Sequence, residues 1–351
     1  MPVHLRPAMG ALPSYVPGRK APGAVVLASN ESPYGLLPAV AARITELTSG
    51  VSRYPDMTST RLVEAIAAHH GVDPVHVAVG AGSVEVVGQI AAAVVDAGDE
   101  VVFGWRAFEA YPIITTVVGG RAVAVPLREQ LHDVAAMAEA VTPATRLILL
   151  CNPNNPTGTA VGGDALSYLV DHVSDDVVIV IDEAYLQYAD PAVMPDALQL
   201  LGSRPNVVVT RTFSKAYALA GLRVGYSIGD PELTAAVRKT QVPFSVSGLA
   251  QECAIAALGE IAEVQRRAAL TIAERERVAS ALRDAGYDPP ASQANFVWLP
   301  IGDRSAGFAE HCAAGGVLVR PFPGDGVRVT IGLPEENDQF LRLAESWTDP
   351  G

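Results

Sequence analysis

The chain has 351 residues, a mass of 36.7 kDa and a formal net charge of −13. With 49% hydrophobic and 18% charged residues it reads as a soluble, folded chain with room for two domains and a large core. The excess of 38 acids over 25 bases argues against nucleic acid as a main partner, and no apolar run nears the roughly 20 residues that span a bilayer.

Residues 1–35 are rich in Pro and Gly, begin without the apolar stretch of a signal peptide, and read as an arm that joins the C-terminal unit. Residues 36–70 predict two helices parted by the turn GVSRYPDM. Seven β-branched runs follow: HVAVG (76–80), EVVFG (100–104), RAVAVP (121–126), RLILLCN (146–152), DVVIVID (176–182), NVVVT (206–210) and GYSIG (225–229). Helix-length segments separate most of them. This alternation predicts an α/β domain with a mainly parallel seven-stranded sheet covered on both faces. A long helical pattern runs from Ser247 to Gly286. After it come FVWLP (296–300), a helix near 305–314, VLVRP (317–321), VRVTIG (327–332) and a helix over 335–347, together a small α+β unit. The expected organisation is therefore an arm (1–35), a large α/β domain (36–246), a linking helix (247–286) and a small C-terminal α+β domain (287–351).

The three cysteines, Cys151, Cys253 and Cys312, are scattered, odd in number and without a CxxC. Neither a disulfide frame nor a metal site is expected, and a reducing cytoplasm suits them. The basic residues are more telling. Only three of the 25 are lysines: Lys20, Lys215 and Lys239.

Ligands of open α/β sheets bind beyond the carboxyl ends of the strands. After HVAV comes Gly80-Ala81-Gly82-Ser83 and a helical stretch. It is either an ordinary strand–helix turn or a phosphate site at a helix N-terminus. Glu85 stands where a dinucleotide fingerprint has its third glycine, which argues against a nicotinamide enzyme. After RLILLC the loop Asn152–Gly158 displays three asparagines held by two prolines, more polar groups than a turn requires. Asp182 ends an apolar strand and is either a helix cap or a carboxylate aimed at a cationic ligand. After NVVVT comes Arg211-Thr212-Phe213-Ser214-Lys215, with Arg223 further on. A rare lysine near apolar and cationic groups is a nucleophile with a lowered pKa.

A phosphate site, an amine nucleophile and an acid facing a cationic ring together match pyridoxal 5'-phosphate. Lys215 would form the Schiff base, and Asp182 would keep the pyridine nitrogen protonated. Asn155 and Tyr185 can hydrogen-bond the phenolic oxygen of the ring.

The motifs LASNESPYG, RYPD, GAGSVE, CNPNNPTG, IDEAY, RTFSKAYALAGLRVGY, SQANFVWLP and VRVTIG resemble, in order and spacing, the fold-type I pyridoxal-phosphate aminotransferases of the histidinol-phosphate aminotransferase family. The resemblance covers nearly the whole chain. It implies that Ala81, Gly82, Ser83, Ser214 and Arg223 hold the cofactor phosphate and that Phe108 stacks on the ring. Tyr54 would reach the phosphate in a partner subunit of a homodimer. Arg328 would grip the substrate carboxylate, while Tyr15, Tyr34, Phe244 and Arg320 would shape the rest of the pocket. FGWRAFEAYP and SQANFVWLP look more like the aromatic amino acid aminotransferase branch. The expected reaction is ping-pong transamination of phenylalanine and tyrosine, with tryptophan as a further candidate donor, to a 2-oxo acid such as 2-oxoglutarate. The alternatives are a histidinol-phosphate aminotransferase of histidine biosynthesis, a decarboxylase of an amino-acid phosphate, and a non-catalytic regulator.

Overall fold

The apolar runs become strands because the central ones bury both their faces, whereas RAVAVP at the sheet edge stays largely exposed. The computed structural model describes residues 3, 5–12, 21–202 and 204–348. Its strands are β1 (Val25–Val26), β2 (Val77–Gly80), β3 (Glu100–Trp105), β4 (Arg121–Pro126), β5 (Thr145–Cys151), β6 (Val178–Asp182), β7 (Val207–Thr212), β8 (Gly225–Ile228), β9 (Phe296–Leu299), β10 (Val317–Leu318), β11 (Arg320–Phe322) and β12 (Gly326–Thr330). Strands β2 to β8 form one sheet in the order β2-β8-β7-β6-β5-β3-β4. From β4 to β7 the neighbours are parallel; β8 is antiparallel to both β7 and β2. Residues 213–224 hold only a 3-10 turn, Ala220–Leu222, and no helix to recross the sheet. The chain therefore turns back on itself.

The helices are α1 (Pro7–Ala11), α2 (Pro38–Leu47), α3 (Thr60–His70), α4 (Ser83–Val94), α5 (Ala110–Val118), α6 (Val134–Glu139) and α7 (Gly163–His172). They continue with α8 (Pro231–Lys239), α9 (Gly248–Leu258), α10 (Ile261–Asp284), α11 (Ser305–Ala314) and α12 (Pro334–Ser346). On the central strands successive side chains alternate between two cores, as the pleat requires. Leu147, Leu149 and Cys151 pack with Phe103, Ile90 of α4 and Tyr111 of α5. Ile148 and Leu150 pack the other way, against Met137 of α6 and Leu166 of α7. Each such side chain contributes roughly 1.5–3 kcal/mol on burial.

Two further cores meet along α10: a large one that holds Leu62, Ile66 and Tyr226, and a smaller one around the antiparallel sheet β11-β12-β9. Helix α10 serves both cores: Val264 and Ala268 pack with the large one, Val278 and Leu282 with the small one. The expected single helix over 247–286 is two helices, α9 and α10, parted at Gly259–Glu260. Glycine weakens a helix, and Glu260 instead accepts from the Ala39 amide at 3.0 Å. VLVRP likewise forms two short strands in different sheets. Strand β1 pairs with β10, which lays residues 28–31 across the carboxyl ends of the central strands. No helix among the described residues is long and apolar enough to cross a membrane.

Candidate active site

Strands β5, β6 and β7 end at one cavity. Asp182, the last residue of β6, is buried on its floor. Its Oδ2 accepts from the Tyr111 hydroxyl at 3.0 Å, while its Oδ1 has no hydrogen-bond partner. Burial pushes its pKa up to about 6, with the Tyr111 bond acting the other way. Lys215 also lines this cavity, and its Nζ donates to the Ser29 carbonyl at 3.3 Å. Burial brings its pKa down to about 7; Arg328 and Arg223 lower it further and Glu31 opposes them. A buried acid with a free oxygen and an amine poised to lose its proton thus share one chamber.

At one end of the chamber α4 begins. Gly82 precedes it with φ +89°, and a Cβ there would overlap the Arg223 guanidinium. Arg223 Nη1 donates to Ser214 Oγ at 3.3 Å, and Thr212 Oγ1 donates to the same oxygen at 3.0 Å. Ser83, Ser214 and Arg223 line the cavity here, where the helix dipole adds positive potential. Ala81 and Gly82, expected beside them, do not line it. The Ala81 amide donates to the Glu85 carboxylate and the Gly82 amide to Gly80 O at 2.8 Å. The acid that breaks the dinucleotide pattern thus occupies one of these donors.

At the other end stand two arginines. Arg320 on β11 and Arg328 on β12 are register partners, so their side chains share a face. Arg328 donates to Asn155 Oδ1 at 2.5 Å and to the Ala28 carbonyl at 2.7 Å. Arg320 donates to Glu109 Oε2 at 2.9 Å. Between the ends, Phe108 lies 5.7 Å edge-on from Tyr111, and Tyr185 accepts from Asn30 Nδ2 at 2.9 Å. Burial raises the Tyr185 pKa well above its ordinary value, so its hydroxyl keeps its proton.

The structure therefore gathers Ser83, Phe108, Asn155, Asp182 and Tyr185 around one cavity, together with Ser214, Lys215, Arg223, Arg320 and Arg328. Tyr54 is 84% exposed, its ring lies tilted 4.8 Å from that of Phe244, and neither lines the cavity. Tyr34 is half-buried near Tyr188 and also lies outside it. Tyr15 falls outside the described residues. Four residues escaped the sequence reading: Tyr111, Asn30, Glu109 and Phe322. Tyr111 lies one helical turn beyond Phe108, a spacing that could have flagged it. Asn30 is within the quoted LASNESPYG, but nothing local shows that it meets Tyr185.

The profile of the aminotransferase class I and II family matches residues 22–343. The chain belongs to that family. It is 51% identical over 347 residues to an aromatic amino acid aminotransferase of Mycobacteroides abscessus, covering 99% of this chain and 100% of that one. It is 52% identical over 349 residues to an aromatic amino acid aminotransferase of Mycolicibacterium paratuberculosis, with 99% and 98% covered. Among solved structures it is similar to the histidinol-phosphate aminotransferase of Sinorhizobium meliloti in complex with pyridoxal 5'-phosphate. There the TM-score is 0.89 and the identity 28%, with 99% of each chain covered. The cavity of this aminotransferase fits such a cofactor. Asp182 Oδ1 offers an unused acceptor for a ring N–H, and Ser83, Ser214 and Arg223 offer hydroxyls and charge for a phosphate.

Proposed function

We propose that this aminotransferase uses pyridoxal 5'-phosphate to move the amino group of aromatic amino acids to a 2-oxo acid, alternating donor and acceptor in a ping-pong cycle. One observation carries the reading: an amine brought down to about pH 7, Lys215, shares a chamber with a buried acid that has one unpartnered oxygen, Asp182. The cofactor, when bound, supplies an electron sink that lets the Cα proton of the amino acid leave. Lys215, neutral above about pH 7, takes that proton and would pass it on to the cofactor carbon rather than back to Cα. Asp182 holds a proton on the ring nitrogen, and Tyr185 donates to the ring oxygen while Asn30 holds its own oxygen in place. Ser83, Ser214 and Arg223 hold the phosphate. Arg328, already aimed by Asn155 and Ala28, orients the substrate carboxylate.

The aromatic donor is supported by the pocket's Phe108 and Phe322 and by the relatives about half identical to this chain. The exposed Tyr54–Phe244 pair supports a homodimer in which Tyr54 reaches the partner's phosphate site. The buried free thiols of Cys151, Cys253 and Cys312 suit a reducing cytoplasm. Competing kcat/KM measurements with phenylalanine, tyrosine and histidinol phosphate test the substrate; a clear preference for histidinol phosphate overturns it. Sedimentation tests the assembly, and a fully active monomer removes the role given to Tyr54.

A further inference from the structure

We propose that Glu109 sets the substrate class of this site by neutralising Arg320. The inference rests on the aminotransferase reading above, since it takes the cavity as the substrate pocket. Arg320 and Arg328 stand side by side in register and both line the cavity. Two open arginines there would recognise a ligand with two anionic ends, a second carboxylate or a phosphate. Arg320 is not open. Its Nη2 donates to Glu109 Oε2 at 2.9 Å, and its guanidinium lies 5.5 Å from the Phe322 ring.

The pair is partly shielded, with side chains 12% and 32% exposed. It is therefore screened less than a surface pair. Glu109 follows Phe108 directly and sits just ahead of α5 with its side chain free of any capping bond, so backbone structure holds it at the cavity wall. A second ion pair, Arg106 with Asp325, ties the same loop to the β11–β12 turn and keeps Glu109 within reach of Arg320. A ligand with a distal anion must displace the Glu109 carboxylate or bear its repulsion. A neutral aromatic ring meets Phe108 and Phe322 and leaves the pair intact. Discrimination by such a repulsive element is a general route to specificity. A dicarboxylic acceptor such as 2-oxoglutarate binds by displacing the Glu109 carboxylate from Arg320, at a cost in affinity that a neutral aromatic donor does not bear.

The test compares three holoenzymes: wild type, Glu109→Gln and the double variant Glu109→Gln/Arg320→Gln. Calorimetry measures binding of two unreactive acids, glutarate and 3-phenylpropanoate. Each offers one carboxylate to Arg328, and they differ at the far end. In Glu109→Gln, glutarate should tighten about tenfold relative to 3-phenylpropanoate, because Arg320 is released. The kcat/KM ratio of histidinol phosphate to phenylalanine should rise by a similar factor. In the double variant glutarate should bind within about threefold of wild type, since both charges are gone. An unchanged ratio in Glu109→Gln overturns the proposal. So does a tenfold or greater loss of glutarate in the double variant, which would mean that Arg320 serves distal anions while Glu109 is present. Should Glu109→Gln not fold, the double variant decides alone. A wild-type preference for histidinol phosphate counts against the aromatic donor, whereas the shift between wild type and variants reports on Glu109.

Discussion

Two clusters of charge lie back to back at the ends of β6 and β7. Asp182 and Glu183 are neighbours, and the pleat sends them to opposite faces. Glu183 is fully buried and accepts from Arg211 Nε and Nη2 at 3.0 and 2.7 Å and from the Ala197 amide at 2.9 Å. Asp182 has one hydrogen bond, from Tyr111, and an oxygen with none. The cations differ in the same way. Arg211 holds both Glu183 and Asp196, and Glu183 raises its pKa against the cost of burial. Lys215, four residues on, has no carboxylate bonded to it: it donates to the Ser29 carbonyl and is brought down to about 7. One cluster satisfies itself and holds the fold. The other is incomplete without a ligand, which is what a site for a cationic ring and a reactive amine requires.

The largest break in this contrast is Lys215→Ala. It should lower turnover by about 10⁴-fold, since a nucleophile and a proton carrier vanish together. Borohydride reduction and peptide mapping of the wild type should tag Lys215; a tag on Lys20 or Lys239 moves the reactive amine elsewhere.

Asp182→Asn should cost turnover about 10²–10³-fold, because an amide cannot hold the ring nitrogen protonated. Its effect on the ligand-free fold has the opposite sign. The Asp182 pKa rises from 3.8 to about 6 on burial, so the folded state binds the proton more tightly than the unfolded state. The stability it contributes is full below about pH 4 and is lost as pH climbs through 6. At pH 7 the amide should therefore stabilise the ligand-free protein by about 1–2 kcal/mol in urea titrations. A destabilised variant would make Asp182 a structural acid like its neighbour.

Glu183→Gln should do the reverse. Breaking a buried ion pair costs about 3 kcal/mol, read in the same titrations, while turnover falls far less than in Asp182→Asn. If turnover drops as steeply as in Asp182→Asn, the two clusters are not functionally distinct.

Tyr111→Phe is the mildest change. It removes the bond that favours the Asp182 carboxylate, so turnover should fall about tenfold. Cofactor uptake by the ligand-free protein should weaken as pH drops through about 6, and the variant should move that midpoint upward. An unmoved midpoint would show that the Tyr111 hydroxyl does not act on Asp182.

Much of the molecule is legible in order along the chain. β-branched runs separated by helix-length segments are enough for the seven strands, and fully apolar runs signal strands buried on both faces. The rare Lys215 beside Ser214, and an acid ending an apolar strand, point to a cofactor site because strand ends converge in such sheets. The resemblance to aminotransferases agrees with the family that the chain belongs to. Local pattern falls short where a competing bond, near or far in sequence, takes a group. The glycine turn reads as a row of phosphate donors, yet Glu85 takes the Ala81 amide. A continuous apolar periodicity hides the break at Gly259, where Glu260 bonds to Ala39, far away in sequence.

By itself the sequence determines the elements, their class of sheet and the residue types that chemistry needs, because periodicity and strand-end position are local properties. Partnership is not local. Asp182 and Glu183 are equivalent in the string IDEAY, and only the fold brings Arg211 to one and leaves an oxygen of the other bare. Arg320 reads as one more residue shaping the pocket until β11 is seen to lay it against Glu109, some 200 residues earlier in the chain. The direction of β8, the meeting of Asn30 with Tyr185 and the exposure of Tyr54 are decided in the same way. In each case the physical reason is that an ionisable or hydrogen-bonding group takes its character from what faces it, and tertiary packing chooses the facing group.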